Sequence, residues 1–101
     1  MFNIKATVKR FGAVLDGQDA LADSSEALED MNAELEDALL MLSELKPEGE
    51  GWREEWLDAL EDIRALAGDY RRLAGEVPDV EPLAGQLEKL ADDAAAEVKD
   101  Q

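Results

Sequence analysis

The stretch that decides the expected fold is residues 14–45, VLDGQDALADSSEALEDMNAELEDALLMLSEL. Apolar residues recur there at every seventh position. A second series, three residues after the first, also repeats every seven residues, and on a helix the two series form one seam along the same face. The first series is Val14, Leu21, Leu28, Leu35 and Leu42, and the second is Gly17, Ser24, Met31, Ala38 and Leu45. A seam sustained over more than four heptads predicts one long helix that packs with a left-handed twist. Residues 38–42 are apolar nearly all round, so we expect them to be buried on several sides.

Two further helices follow this stretch. Residues 46–51 contain one proline and two glycines, which predicts the end of the first helix and a turn. Apolar residues at helical spacing predict a second helix over about 52–74 and a third over about 80–98. Asp79 is a candidate N-cap of the third helix, and Pro82 falls in its first turn, where a missing N–H does little harm.

The first thirteen residues form a basic segment of ambiguous conformation. It contains Lys5, Lys9 and Arg10 and no acid. Its apolar residues fit both a strand and a helix, but a lone strand is unstable, so we expect a helix, kinked at Gly12 or Gly17. Such a segment suits a membrane surface or a partner groove. Packing against the acidic body of its own chain or of a second copy is the favoured alternative.

These elements predict a single all-α domain, an antiparallel bundle of three helices with a long first helix. At about 1.5 Å per residue the first helix is roughly 48 Å long and the second roughly 35 Å. The unequal lengths leave part of the first helix uncovered. A homodimer that completes the bundle is one solution.

Charge and composition limit the class of partner. The net charge of −16 repels nucleic acid and anionic lipid and attracts basic protein surfaces, so direct binding to DNA or RNA is not expected. No apolar run approaches the roughly 20 residues of a membrane span. The apolar stretch after the basic residues is too short for a secretory signal, so we expect a cytoplasmic location.

The residue types that usually carry catalysis are missing. The chain has no His and no Cys, which removes the usual base near neutral pH, the most reactive nucleophile and the usual zinc ligands. None of its few hydroxyl side chains lies in a nucleophile motif, and no glycine-rich phosphate loop is present. We therefore expect a non-enzymatic protein without a cofactor or metal.

A row of acidic residues follows the outer face of the expected long helix. Between Asp16 and Asp37 there are nine acids, and residues 11–45 contain no Lys or Arg. On a helix this stretch carries about one negative charge per 3.5 Å, close to the spacing of about 3.4 Å in one DNA strand. A solvated face, an adaptation to a high-salt cytoplasm, or pairing with Arg64, Arg71 and Arg72 would also account for the acids.

Trp52 and Trp56 lie one turn apart at the start of the second helix. They fit a partner anchor, since Trp is enriched at binding hot spots. They also fit the closed end of a bundle core, which is the favoured interpretation.

Two hypotheses of function follow. The first is a nucleic-acid mimic that blocks a basic nucleic-acid-binding protein, of the general kind found among phage and mobile-element inhibitors of restriction or CRISPR systems. The alternative is a coiled-coil-like adaptor that acts through its apolar seam. The candidate partner-binding residues are Asp16, Asp19, Asp23, Glu26, Asp30, Asp37, Trp52 and Trp56.

Overall fold

Four α-helices make up the part of the protein that the structure describes. A computed structural model describes residues 4–22 and 26–100, without the side chains of residues 18–22. The helices are α1 (Ile4–Ala22), α2 (Glu26–Glu44), α3 (Trp52–Leu73) and α4 (Glu81–Asp100), and a 3₁₀ turn, Pro78–Val80, precedes α4. The all-helical prediction is confirmed. The predicted helices over 52–74 and 80–98 correspond to α3 and α4 within two residues at each end.

The prediction of three helices with a long first one is wrong. The stretch 14–45 contributes to two helices, because α1 ends at Ala22 and α2 begins at Glu26. Residues 4–13 of the basic N-terminal segment belong to α1, which continues through both Gly12 and Gly17. A seven-residue repeat is compatible with both outcomes, because it specifies a buried face and does not specify whether the chain continues or turns back.

The four helices lie side by side, each antiparallel to the next. Packing joins α1 to α2, α2 to α3, α3 to α4 and α4 back to α1. The direction of α3 and α4 follows from two ion pairs, Arg64 with Asp92 and Arg71 with Glu88. At the α1–α4 contact, a Cβ added to Gly17 would lie 3.9 Å from Cδ2 of Leu83. The axial extents of 42 × 20 × 18 Å fit such a bundle.

The core lies between the four helices and draws side chains from each. Among the described residues, the largest fully buried side chains are Phe11 of α1, Leu28, Leu35 and Leu42 of α2, Trp56, Leu60, Ile63 and Tyr70 of α3, Val80 of the 3₁₀ turn, and Leu87 and Val98 of α4. Because α1 packs against both α2 and α4, it covers the side of the bundle that the sequence leaves open for a second copy of the chain.

The connection between α2 and α3 depends on two glycines. Gly49 has a φ of 89° and Gly51 a φ of 85°, a left-handed conformation that other residues rarely adopt. Gly51 is the N-cap of α3, and its carbonyl accepts the backbone N–H of Glu55. The reversal after residue 44 therefore agrees with the turn predicted from residues 46–51.

Candidate functional site

The outer surface of α2 is the most acidic part of the structure. The helix buries Leu28, Leu35 and Leu42 at seven-residue spacing, together with Asn32, Ala38 and Leu39. The remaining positions carry seven acids and no Lys or Arg. All seven are exposed: Glu26, Glu29, Asp30, Glu34, Glu36, Asp37 and Glu44. Because the positions that α2 buries carry no charge, every charged side chain of this helix faces solvent.

The basic side chains of α3 do not neutralise this surface. Among the described residues, the ion pairs lie within α3 and between α3 and α4: Arg64 with Asp92, Arg71 with Glu88 at 2.8 Å, and Arg72 with Asp69. The α2 acids make no ion pair within the described residues. Arg64, Arg71 and Arg72 therefore pair with acids of α3 and α4 and not with the acids of α2.

The predicted acidic row is only partly retained. Glu26, Asp30 and Asp37 are exposed on α2, whereas Asp16 is exposed on α1, which runs in the opposite direction. Asp23 and the side chain of Asp19 lie outside the described residues. The prediction of one continuous row from Asp16 to Asp37 is therefore wrong. The row on α2 alone is shorter, about 27 Å from residue 26 to residue 44 at about 1.5 Å per residue.

A second acidic row on α3 was missed by the sequence interpretation. Glu55, Asp58 and Asp62 follow one another at spacings of three and four, which places them on one face of α3, and all three are exposed. The spacing alone was a sufficient signal for that face. Only the packing of α3 against α2 shows that the face borders α2.

A groove between α2 and α3 is bordered by the row on α3 and by three acids of α2, Glu34, Asp37 and Glu44. One part of it, with a volume of 340 Å³, is lined by Glu34, Asp37, Met41, Asp62, Asp69 and the small or apolar residues Ala38, Ala65 and Leu66. The adjoining part, 580 Å³, shares Met41 and Asp62 and adds Glu44, Leu45, Glu55, Asp58 and Ala59. The groove therefore has acidic rims and a largely apolar floor.

The two tryptophans have different environments. Trp56 is fully buried in the core, as the favoured interpretation predicts. Trp52 is half-buried, and the guanidinium carbon of Arg53 lies 5.6 Å from the centre of its ring. Trp56 is therefore not accessible to a partner at the surface.

Two other kinds of site are absent from the described residues. No group of three or more acidic side chains there is arranged to hold a metal ion. None of the described helices is long and apolar enough to cross a membrane.

Comparison of the chain with protein-family models, curated proteins and solved structures gave no match.

Proposed function

We propose that this protein is a nucleic-acid mimic, a non-enzymatic inhibitor that occupies the nucleic-acid-binding surface of a basic protein. The observation that carries the proposal is the surface of α2, on which seven exposed acids make no ion pair within the described residues. The proposal includes a cytoplasmic location and a phage or mobile-element origin, since inhibitors of restriction and CRISPR systems of this general kind act there.

The charge spacing supports this function. Seven charges over about 27 Å correspond to about one per 4 Å on α2, close to the spacing of about 3.4 Å along one DNA strand. The row on α3 runs beside it, and packed helices lie roughly 8–10 Å apart. Two lines of negative charge with a groove between them resemble the two phosphate backbones that border a groove of duplex DNA.

The acidity of α2 also works against its own stability. Glu26, Asp30 and Glu34 follow one another at four-residue spacing, where like charges repel. Glu44 lies at the C-terminal end of the helix, where a negative charge is unfavourable, and the last turn has no basic residue. A sequence selected for stability alone would place Lys or Arg at some of these positions.

A second candidate function is favoured by a separate observation. Leu40 is 60% exposed and Met41 48% exposed, and they are the large apolar side chains that the described residues leave in solvent. An adaptor that docks through this apolar patch is the alternative. Its complexes would be nearly indifferent to ionic strength, whereas those of a mimic weaken as salt screens the exposed charges.

Capture of host proteins at low and high salt tests the proposal. Each retained protein is purified, and its binding to labelled DNA or RNA is measured while the chain is added. We expect the chain to displace the nucleic acid and the complex to weaken steeply with salt. Retained proteins that bind no nucleic acid, or complexes insensitive to salt, would favour the adaptor.

Two triple variants provide a matched comparison. Glu26→Lys, Asp30→Lys and Glu36→Lys change the α2 surface, and Asp93→Lys, Glu97→Lys and Asp100→Lys change exposed positions on α4. Each reversal adds two positive charges, so both variants move from a net charge of −16 to −10. We expect only the α2 variant to lose displacement. Equal behaviour of the two would mean that total charge matters and the α2 surface does not.

A further inference from the structure

The groove between α2 and α3 has a chemical character that an acidic surface alone lacks. Its floor contains Ala38, Ala59 and Leu66, which are buried, and Ala65, which is exposed. Met41 stands at the junction of the two parts of the groove, with about half of its side chain in solvent. An occupant therefore meets apolar surface at the bottom and carboxylates on both sides.

The groove exists because small residues line the seam between α2 and α3. Alanine occupies positions 38, 59 and 65, where a leucine would extend into the space. Exposed large apolar residues favour contact with another apolar surface, since burial removes them from water. Met is an adaptable contact residue because its side chain is flexible and polarizable.

We propose that this groove binds a basic amphipathic α-helix of the partner protein. Apolar side chains on one face of that helix contact Met41 and the alanine floor. Lys or Arg side chains on its flanks reach the rim acids that make no ion pair within the described residues, which leaves out Asp69, the partner of Arg72. The inference rests on the proposed function, which it deepens by naming the partner element.

The dimensions of the groove suit a helix. Its α3 rim extends from Glu55 to Asp69, about 21 Å at about 1.5 Å per residue, which matches roughly four turns of a bound helix. Nucleic-acid-binding proteins commonly insert a basic helix into the DNA major groove, which is about 12 Å wide and bordered by phosphates. A groove with acidic rims offers such a helix a comparable environment.

A second copy of the chain is a poorer occupant. Its most basic helix is α1, with Lys5, Lys9 and Arg10 exposed. The apolar face of α1 is already buried in its own bundle, through residues that include Phe11 and Val14. The described residues of a second copy therefore offer no basic helix with a free apolar face, and its other helices are acidic and would be repelled.

The first arm of the test compares two synthetic peptides of identical composition. One is an 18-residue peptide of Lys and Leu with Leu at helical spacing, and the other has the same residues in an order that destroys the apolar face. We expect the amphipathic peptide to bind the full chain at least about tenfold more tightly by fluorescence anisotropy. Equal affinity of the two peptides would overturn the proposal, because charge alone would then explain binding.

The second arm changes the groove in two independent ways. Ala65→Phe fills the groove, and Ala96→Phe places the same side chain at an exposed position of α4. Asp58→Lys with Asp62→Lys reverses the α3 rim, with Asp93→Lys and Glu97→Lys as the charge-matched control. We expect both groove variants to weaken the amphipathic peptide about tenfold or more and both controls to stay within about threefold. Affinity unchanged in the groove variants would overturn the inference.

The outcomes separate this inference from the proposed function. In one outcome, the α2 triple variant no longer displaces nucleic acid, whereas the groove variants displace it and bind the peptide normally. This result supports the nucleic-acid mimic and contradicts the binding of a helix in the groove. In another outcome, the groove variants lose peptide binding and the wild-type chain displaces no nucleic acid. This result supports the binding of a helix in the groove and contradicts the nucleic-acid mimic. A dimer in sedimentation experiments that Met41→Lys dissociates would also overturn the inference, because a second copy would then cover the groove.

Discussion

The hydroxyl of Tyr70 on α3 donates a hydrogen bond to Oδ1 of Asn32 on α2 at 2.8 Å, and both side chains are buried. The pair joins the two helices that border the acidic groove, near the end opposite the turn between them. The side-chain nitrogen of Asn32 is buried and has no hydrogen-bond partner among the described residues. A directional bond at one position of an otherwise apolar interface favours one register of α2 against α3.

Removing the hydroxyl of Tyr70 should destabilise the protein. In Tyr70→Phe the side-chain oxygen of Asn32 loses its partner while staying buried. We expect a decrease of about 1–3 kcal/mol in the free energy of unfolding, measured by urea denaturation. In Tyr70→Phe with Asn32→Leu both polar groups are gone, and we expect most of the loss to be recovered. A double variant no more stable than the single one would contradict this account.

The free energy of unfolding should decrease at alkaline pH because of the same residue, Tyr70. Burial, with a smaller contribution from the charge of Glu34, raises the pKa of Tyr70 above its usual value. Above about pH 10 the unfolded chain releases this proton while the folded protein keeps it, so stability present below that pH is lost as the pH rises. In this range we expect the free energy of unfolding of the wild type to decrease by up to about 1.4 kcal/mol per pH unit. Tyr70→Phe should not show this decrease.

Tyr70 is the single tyrosine of the chain, which makes this effect directly observable. The tyrosinate absorbance of the folded protein should appear at a higher pH than that of the urea-unfolded chain. The difference between the wild type and Tyr70→Phe isolates the contribution of this side chain to the pH dependence. Identical absorbance titrations of folded and unfolded protein would refute the expected shift.

The packing of α1 into the bundle can be tested at Phe11. Its side chain is fully buried between the helices, so Phe11→Ala should decrease the free energy of unfolding by about 3–5 kcal/mol. Leu40→Ala provides the control, since a side chain that is 60% exposed should change the free energy by no more than about 0.5 kcal/mol. Similar values for the two variants would mean that α1 is not part of the core.

Reversing a charge on the acidic surface of α2 should increase the free energy of unfolding. Asp30→Lys replaces repulsions from Glu26 and Glu34 by two attractions at four-residue spacing, so we expect a gain of about 1 kcal/mol at low salt. On α4, Asp93→Lys exchanges an attraction to Lys89 for one to Glu97, and we expect almost no change. Thermal unfolding at low and high NaCl measures both, and the gain should shrink as salt screens the charges.

Combined with binding data, the Asp30 variant distinguishes a functional surface from a solvated one. Higher stability together with weaker partner binding would indicate that the acids are kept for recognition. Higher stability with unchanged binding would leave α2 as a solvated face. The same purified samples serve for both measurements.

The helix ends that carry strong local signals were predictable. Pro47 and the two glycines after it mark the turn before α3, and Pro78 lies in the turn before α4. Proline and glycine act through the backbone of their own residues, so their effect does not depend on distant parts of the chain. The end of α1 was missed because the heptad repeat outweighed a weaker signal. The sequence Asp23-Ser24-Ser25 consists of residues that are favoured at the beginning of a helix and poor in its interior.

The acidic surface was predictable in its composition and not in its arrangement. Every exposed acid of α2 lies at a position that the heptad frame places outside the buried seam, because helical periodicity relates such positions locally. The partnership of Arg64 with Asp92, and the groove between the rows of α2 and α3, depend on which helices become neighbours. Neighbours are selected by burial of all four apolar faces at once, which no local pattern contains.

By itself, then, the sequence determined an all-helical chain, its acidic character and the face that each helix buries, since these follow from residue type and spacing. Tertiary packing decided that α1 and α2 lie antiparallel against each other, that Asn32 meets Tyr70, and that Met41 and Leu40 remain in solvent. The physical reason is that a helix specifies its apolar face within a few turns, whereas the partner of that face is chosen by the free energy of the whole core.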